Sequence, residues 1–324
     1  MLFCPQIFGV PEFSLPETMP AIRAHFETGS GGTFQSFDGR QVGYWRMPGE
    51  GTPIVISVGL GESYGLYQET VWDLRVLRRP IIVLELRGQA HGDRLSSVSR
   101  QIYHVRSFED YARDFAFFVD HHMGADESMD VIAHSTGAYG AIKFTADRPQ
   151  RVRRLILISP LIEPELGSLP SWLAQLIARG LCLVGRCQNY VPFRGDRTID
   201  DIRFDGNRLT HSEIRFQRIV DVLKDNPSLL SGGPSNNWIL EALRTSDELM
   251  RTATTVRQDV LQLSSDRDGY STVASQTQFC ARIHSCSRVD VEGSRHAMLL
   301  EVDRIRDQVI SLIIQELENS PSAR

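Results

Sequence analysis

Four short apolar runs with no polar alternation constrain this chain most: PIVISVG (53–59), PIIVLEL (80–86), MDVIAH (129–134) and RLILISP (154–160). A strand that is apolar on both faces must be covered on both, which is the condition of a parallel sheet between helical layers. The segments between the runs, 67–78, 107–122 and 136–148, carry apolar residues at helical spacing. Ahead of them TFQSFDGRQVGYWRM alternates around Asp38-Gly39 and predicts a β-hairpin. After Pro160 the rhythm breaks for about 95 residues, in which helices are predicted at 170–185 and 211–224. It resumes with DVLQLSS (259–265), a helix at 273–284, CSRVDVEG (286–293) and a helix at 301–317. The expected architecture is a mostly parallel α/β core over 31–160 and 256–320. A helical cap over 161–255 is inserted after the sixth strand, and residues 1–30, rich in Pro and Gly, form an irregular arm.

Ala133-His134-Ser135-Thr136-Gly137 stands where a buried strand ends and a helix begins. That is the placement of a nucleophile elbow, G-x-S-x-G, with Ala for the first Gly. Small residues are needed there because the turn holds the serine in a strained backbone conformation. In chain order an acid and then a histidine should follow. Only His284 and His296 lie beyond the insertion. His296, in VEGSRHAMLLE after the last strand, is the expected base, whereas His284 closes a helix. His121 and His122 end another helix, and His134 diverges from its neighbour at the turn. LSSDRDGYST offers Asp266 and Asp268 as the acid, and a turn of three residues after the strand favours Asp268. The glycines of Val58-Gly59-Leu60-Gly61-Glu62 suit a loop that turns amides inward, so the amides of Leu60 and Thr136 are the expected oxyanion donors. GLGES lacks both GxGxxG spacing and a P-loop lysine, which argues against a nucleotide site.

The net charge of -5 argues against a nucleic-acid partner. Five cysteines, odd in number and without a CxxC pair, suggest neither a zinc site nor a disulfide framework. No cofactor or metal is implied. The N-terminus lacks the basic start and apolar run of a signal peptide. The longest apolar candidate, Trp172 to Val184, is interrupted by Gln175, Arg179 and Gly180 and falls short of a membrane span. A reduced, cytoplasmic setting is expected, with peripheral contact at the inner face of a membrane left open.

With these parts placed, the sequence resembles the α/β-hydrolase branch that contains bacterial lysophospholipases and monoacylglycerol lipases, from about Phe34 to the final helix. GLGESYGLYQETVWDL is similar to the branch's oxyanion loop and first helix, LELRGQAHGDR to its D-x-R-G-Q/H-G-x-S turn, and AHSTGAYGA to its elbow. FDGNRLTHSEIRFQRIVDVLKDNPSLLSGGPSNNWILEAL resembles the cap of the bacterial lysophospholipases, and GSRHAMLLEVDRIRDQV their histidine loop. The resemblance places the family's acid on Asp268. Departures are Ala133, Val58-Gly59 for HG, Glu85 for the usual aspartate and Gly92 for the usual serine. It implies a serine hydrolase that cleaves the carboxylic ester of a single-chain acyl lipid, foremost a lysophospholipid. The alternatives are a monoacylglycerol lipase, a small-ester esterase or, in another class, a non-catalytic binding protein of the same fold. Trp172 and Leu176, on an apolar stripe of the cap, are expected to line an acyl channel. No obligatory protein partner is implied.

Overall fold

A computed structural model describes residues 9–319. Eight strands form one sheet: β1 (Ser30–Gln35), β2 (Gln41–Met47), β3 (Ile54–Ser57), β4 (Ile81–Leu84), β5 (Met129–His134), β6 (Val152–Ile158), β7 (Asp259–Ser265) and β8 (Cys286–Val291). Their spatial order is β1-β2-β4-β3-β5-β6-β7-β8. The pairs β1–β2 and β2–β4 are antiparallel and every other neighbour is parallel.

The unalternating runs feed two cores at once, because side chains of a strand point to opposite faces in turn. In β5, Met129, Val131 and Ala133 face one layer while Ile132 faces the other. Helices α3 (Glu109–His122), α4 (Gly137–Asp147) and α8 (Val273–Cys280) cover the first face through Phe115, Phe118, Ile142 and Phe279. Helices α2 (Gln68–Leu74) and α9 (Asp303–Glu318) cover the second through Val71, Ile305, Val309 and Ile313.

The stretch expected as an irregular arm is not irregular throughout: Leu15–Phe26 form helix α1. Leu15, Met19, Ile22 and Phe26 share its buried face, a helical spacing that the two prolines Pro16 and Pro20 mask in the sequence. Residues 1–8 of that stretch lie outside the described residues.

Between β6 and β7 the chain builds three cap helices: α5 (Ser171–Leu183), α6 (Glu213–Asp225) and α7 (Asn236–Thr252). The third has no counterpart in the pattern reading. Its start is fixed by Ser235, whose side chain accepts from the Trp238 amide, and it buries Trp238, Ala242 and Leu249. A two-residue parallel ladder, Ile102–Tyr103 with Gly233–Pro234, stitches the cap to the loop after β4. Arg215 of α6, fully buried, pins the cap from the other side. Its guanidinium donates to Glu69 of α2, to Asp303 at the start of α9 and to the carbonyls of Val10 and Glu301.

Helix α5 contradicts the expectation of an acyl channel lined by Trp172 and Leu176. These residues are 67% and 60% exposed, and α5 buries only Ala174 and Ala178, on the side lying against α7. The smooth alanine face fits the neighbouring helix, so the large side chains turn outward. No described helix is long and apolar enough to cross a membrane.

The cysteine reading is corrected too. Cys182 is bonded to Cys187 and Cys280 to Cys286. Each bridge closes a short turn where a helix end meets the next segment, a geometry that residue counting does not reveal. Denatured protein alkylated without reductant should therefore expose one thiol of the five cysteines, and all five after reduction. Five reactive thiols before reduction, counted by mass spectrometry, would contradict both bridges.

Candidate active site

The site gathers where β3, β5 and β7 end. At the end of β5 the chain turns into α4 through Ser135, which adopts a left-handed backbone with φ of 51°. That conformation costs a non-glycine residue about 1–3 kcal/mol and persists only where the surroundings impose it. The Ser135 amide donates to the Ile158 carbonyl at 3.0 Å, and its own carbonyl accepts from the amides of Ala138 and Leu161. Gly137 is required by space. A Cβ there would stand 2.4 Å from the Val58 carbonyl oxygen and 2.6 Å from that of Ser57.

His296 Nε2 lies 2.8 Å from Ser135 Oγ, and His296 Nδ1 lies 2.8 Å from Asp268 Oδ1. A carboxylate can only accept, so Nδ1 carries the proton and Nε2 is left to accept from the serine hydroxyl. Asp268 also accepts from the amides of Tyr270 and Ser271 and from the Gln276 side chain. Burial pushes the Asp268 carboxyl up, but His296 and those amides outweigh it and hold the group below the usual aspartate value. Asp266, the alternative acid, instead accepts from the Gly293 amide in an outer turn.

Leu60 lies in the loop after β3, and Thr136 follows Ser135 at the elbow. Neither amide is committed to an acceptor among the described hydrogen bonds. Pattern reading did not find what holds the first of these loops in place. Gln89, buried, donates to the carbonyls of Gly59 and Glu62 and accepts from the Gly61 amide. Glu85, in place of the usual aspartate, accepts from the amides of Tyr64 and His91 and from the His91 ring. The available signal was the ELRGQAHG turn itself, whose polar residues serve a neighbouring loop.

His134 is a structural centre rather than an inert elbow residue. Its Nδ1 lies 2.9 Å from Glu62 Oε1, and its Nε2 lies 3.2 Å from the His296 carbonyl oxygen. The other Glu62 oxygen accepts from the Gly59 amide and the Tyr67 hydroxyl, both at 2.6 Å. Both partners of the His134 ring are acceptors, so the ring is an imidazolium. Burial lowers its pKa, but Glu62 raises it by more, to a net value above the ordinary 6.5. Burial likewise raises the Glu62 carboxyl, yet His134, Tyr67 and the Gly59 amide bring it down to about 2.

The sign of the resulting pH dependence follows. The depressed Glu62 contributes stability that is complete above its ordinary 4.5 and lost as pH falls toward about 2. The raised His134 contributes stability that is complete below 6.5 and lost as pH rises through its folded-state value. Glu62→Gln should therefore flatten both limbs of a plot of Tm against pH. At pH 6 it should cost about 3–5 kcal/mol, because it strands a buried cation. A variant whose Tm profile overlays that of the native chain would dismiss the pair as a stabilising element.

Residues 52–303 match the Hydrolase_4 family (serine aminopeptidase, S33). The chain is 26% identical over 286 residues to lysophospholipase L2 of Escherichia coli K12, covering 83% of this chain and 82% of that protein. It is 20% identical over 266 residues to a probable lysophospholipase L2 of Haemophilus influenzae, covering 80% and 82%. Among solved structures, a monoglyceride lipase variant from Saccharomyces cerevisiae superposes with a TM-score of 0.65 at 16% identity, covering 91% of this chain and 96% of that one. The monoacylglycerol lipase of Paleococcus ferrophilus gives 0.63 at 14% identity, covering 89% and 98%.

Proposed function

Because the chain belongs to the serine aminopeptidase S33 family of hydrolases, we propose that it cleaves the carboxylic ester of a single-chain acyl lipid, foremost a lysophospholipid, through an acyl-enzyme on Ser135. The observation that carries this reading is the hydrogen-bonded line from Ser135 Oγ through His296 to Asp268, 2.8 Å at each step, behind a left-handed serine. Ser135 Oγ attacks the ester carbonyl while His296 Nε2 takes its proton, and Asp268 stabilises the imidazolium that forms. The amides of Leu60 and Thr136 donate to the developing oxyanion. His296 returns the proton to the leaving alcohol. Water then attacks the acyl-enzyme with His296 again as base, releasing the fatty acid.

The choice of a lipid ester over a peptide rests on the relatives and on charge. Curated relatives over most of the chain are lysophospholipases. A peptide with a free α-ammonium needs an available carboxylate at the mouth, whereas Glu62, Glu85 and Asp268 are all engaged in internal bonds. The outward face of α5 suits contact with a lipid surface. Trp172, Leu176, Leu183 and Val184 are exposed, the helix has no acidic residue, and Arg179 and Arg186 accompany the stripe.

Ser135→Ala should lower hydrolysis of a p-nitrophenyl ester by roughly four to six orders of magnitude with Tm unchanged. It should also abolish labelling by a fluorophosphonate probe, the readout that separates an enzyme from a non-catalytic binding protein. Asp268→Asn should lower kcat by about 10⁴-fold through the wrong histidine tautomer. Asp266→Asn should stay near the native rate, and the reverse order would reassign the acid. For the surface contact, Trp172→Glu with Leu176→Glu should weaken cosedimentation with anionic vesicles while the rate on a dispersed p-nitrophenyl ester is retained. Undiminished cosedimentation would remove α5 from that role.

A further inference from the structure

Resting on the assignment of Ser135 as the acyl-ester nucleophile, we propose that Arg194, Arg197 and Arg208 of the cap form a subsite for the phosphodiester of the lipid headgroup, arrayed around Tyr270 at the rim of the triad.

Most arginines of this molecule are spoken for. Arg215 and Arg306 are buried among carboxylates, and Arg87, Arg218 and Arg244 each hold an acidic partner. Arg194, Arg197 and Arg208 differ. None of their side chains has an ion pair or a hydrogen-bond acceptor among the described residues. Three guanidiniums of one segment without a direct acceptor can donate charge-assisted hydrogen bonds to an anion, with Arg197 also within electrostatic reach of Asp201.

Their position ties that field to the reaction. The Tyr270 ring lies 4.9 Å from the His296 ring, and the Arg208 guanidinium lies 5.6 Å from the centre of the Tyr270 ring. Arg208 fits there because residue 269 is glycine: a Cβ would stand 2.5 Å from Arg208 Nε. Arg197 is held at its backbone on both sides by one side chain, with its amide donating to Gln101 Oε1 at 2.7 Å and its carbonyl accepting from Gln101 Nε2 at 3.0 Å. Gln101 precedes the ladder strand that carries Tyr103. The Tyr103 hydroxyl in turn sits over Gly61, 2.4 Å from where a Cβ would be. The stem of Arg194 packs over Gly233, in the partner strand of that ladder.

The electrostatics agree with this placement. Burial raises the Tyr270 phenol, and Arg208, Arg194 and Arg197 all pull it back; Arg197 also acts on Tyr103. The Arg197 backbone, held by Gln101 two residues before Tyr103, lies beside the ladder strand whose tyrosine sits over the oxyanion loop. Two carboxylates of the same segment have other hydrogen-bond partners. Asp196 accepts from the hydroxyls of Ser99 and Tyr190, and Asp201 caps its own turn through Thr198. A glycerol backbone separates the scissile ester from the phosphodiester of a lysophospholipid. With the ester carbonyl at Ser135, a headgroup that leaves past Tyr270, beside His296, meets Arg208.

The test compares kcat/KM for lysophosphatidylglycerol and for a monoacylglycerol of the same acyl length in identical detergent micelles. Arg197→Gln and Arg208→Gln should each lower the ratio of the two values tenfold or more, and the double variant further. Arg203→Gln, on the same segment but bonded to the Asp200 carbonyl, should leave the ratio as it is. Binding of glycerophosphoglycerol to the Ser135→Ala protein, measured by calorimetry, reads the subsite without any turnover and should be lost in Arg197→Gln/Arg208→Gln. An unchanged ratio, or tighter binding of inorganic phosphate than of glycerophosphoglycerol, overturns the headgroup assignment while native ester hydrolysis leaves the Ser135 reading standing. Native protein that binds glycerophosphoglycerol through these arginines yet cleaves no ester would overturn that reading instead.

Discussion

The arrangement of the reacting groups depends on one buried cation, the imidazolium of His134. A neutral imidazole has one donor and could serve only one of its two acceptors. Protonated, it donates to Glu62 on the loop after β3 and to the backbone carbonyl of His296 on the loop after β8. It is itself part of β5, one residue before the serine. Three segments far apart in sequence are thereby fixed to a common point: the loop after β3, the elbow that carries Ser135 and the loop that carries His296. The cost of burying the charge is offset by a carboxylate that two further donors hold in its ionised form. The pair takes no proton from a substrate. Its contribution is to remove freedom from groups whose separation must be right before reaction begins.

The same economy governs the second layer. Gln89 and Glu85 come from the turn after β4, a strand whose own end carries no reacting group. Between them they fill three hydrogen-bond positions on the oxyanion loop and orient Tyr64 and His91 beneath it. Glutamate for the usual aspartate at residue 85 lengthens that reach. A Cβ on Gly43 would stand within 2 Å of the Glu85 carboxylate, so glycine in β2 makes room for the longer acid.

Legibility in the sequence followed the range of the physics. The sheet was readable because both-face burial forces unbroken apolar runs, and the elbow because a left-handed serine admits only small neighbours beside it. That Asp268 rather than Asp266 meets His296 follows from the length of a turn, which is local. The failures share a different cause. Helix α1 was hidden by Pro16 and Pro20, although its buried face of Leu15, Met19, Ile22 and Phe26 is regular once the prolines are admitted. The outward turn of Trp172 and Leu176 could not be read from α5 alone. An amphipathic pattern states that two faces differ, and only the fit of Ala174 and Ala178 against α7 decides which one is covered. The disulfides and the role of His134 likewise depend on pairings between segments that spacing does not encode.

The cap divides along the same line between charge and apolar surface. On the α6 side Arg215 is buried among Glu69, Asp303 and two carbonyls, so that half is fixed to the core as firmly as a core helix. The cap backbone even reaches the base, with the Leu209 carbonyl accepting from the Ala297 amide beside His296. The α5 side has no such anchor; it offers water an apolar stripe and leaves the arginines of the following segment unpaired.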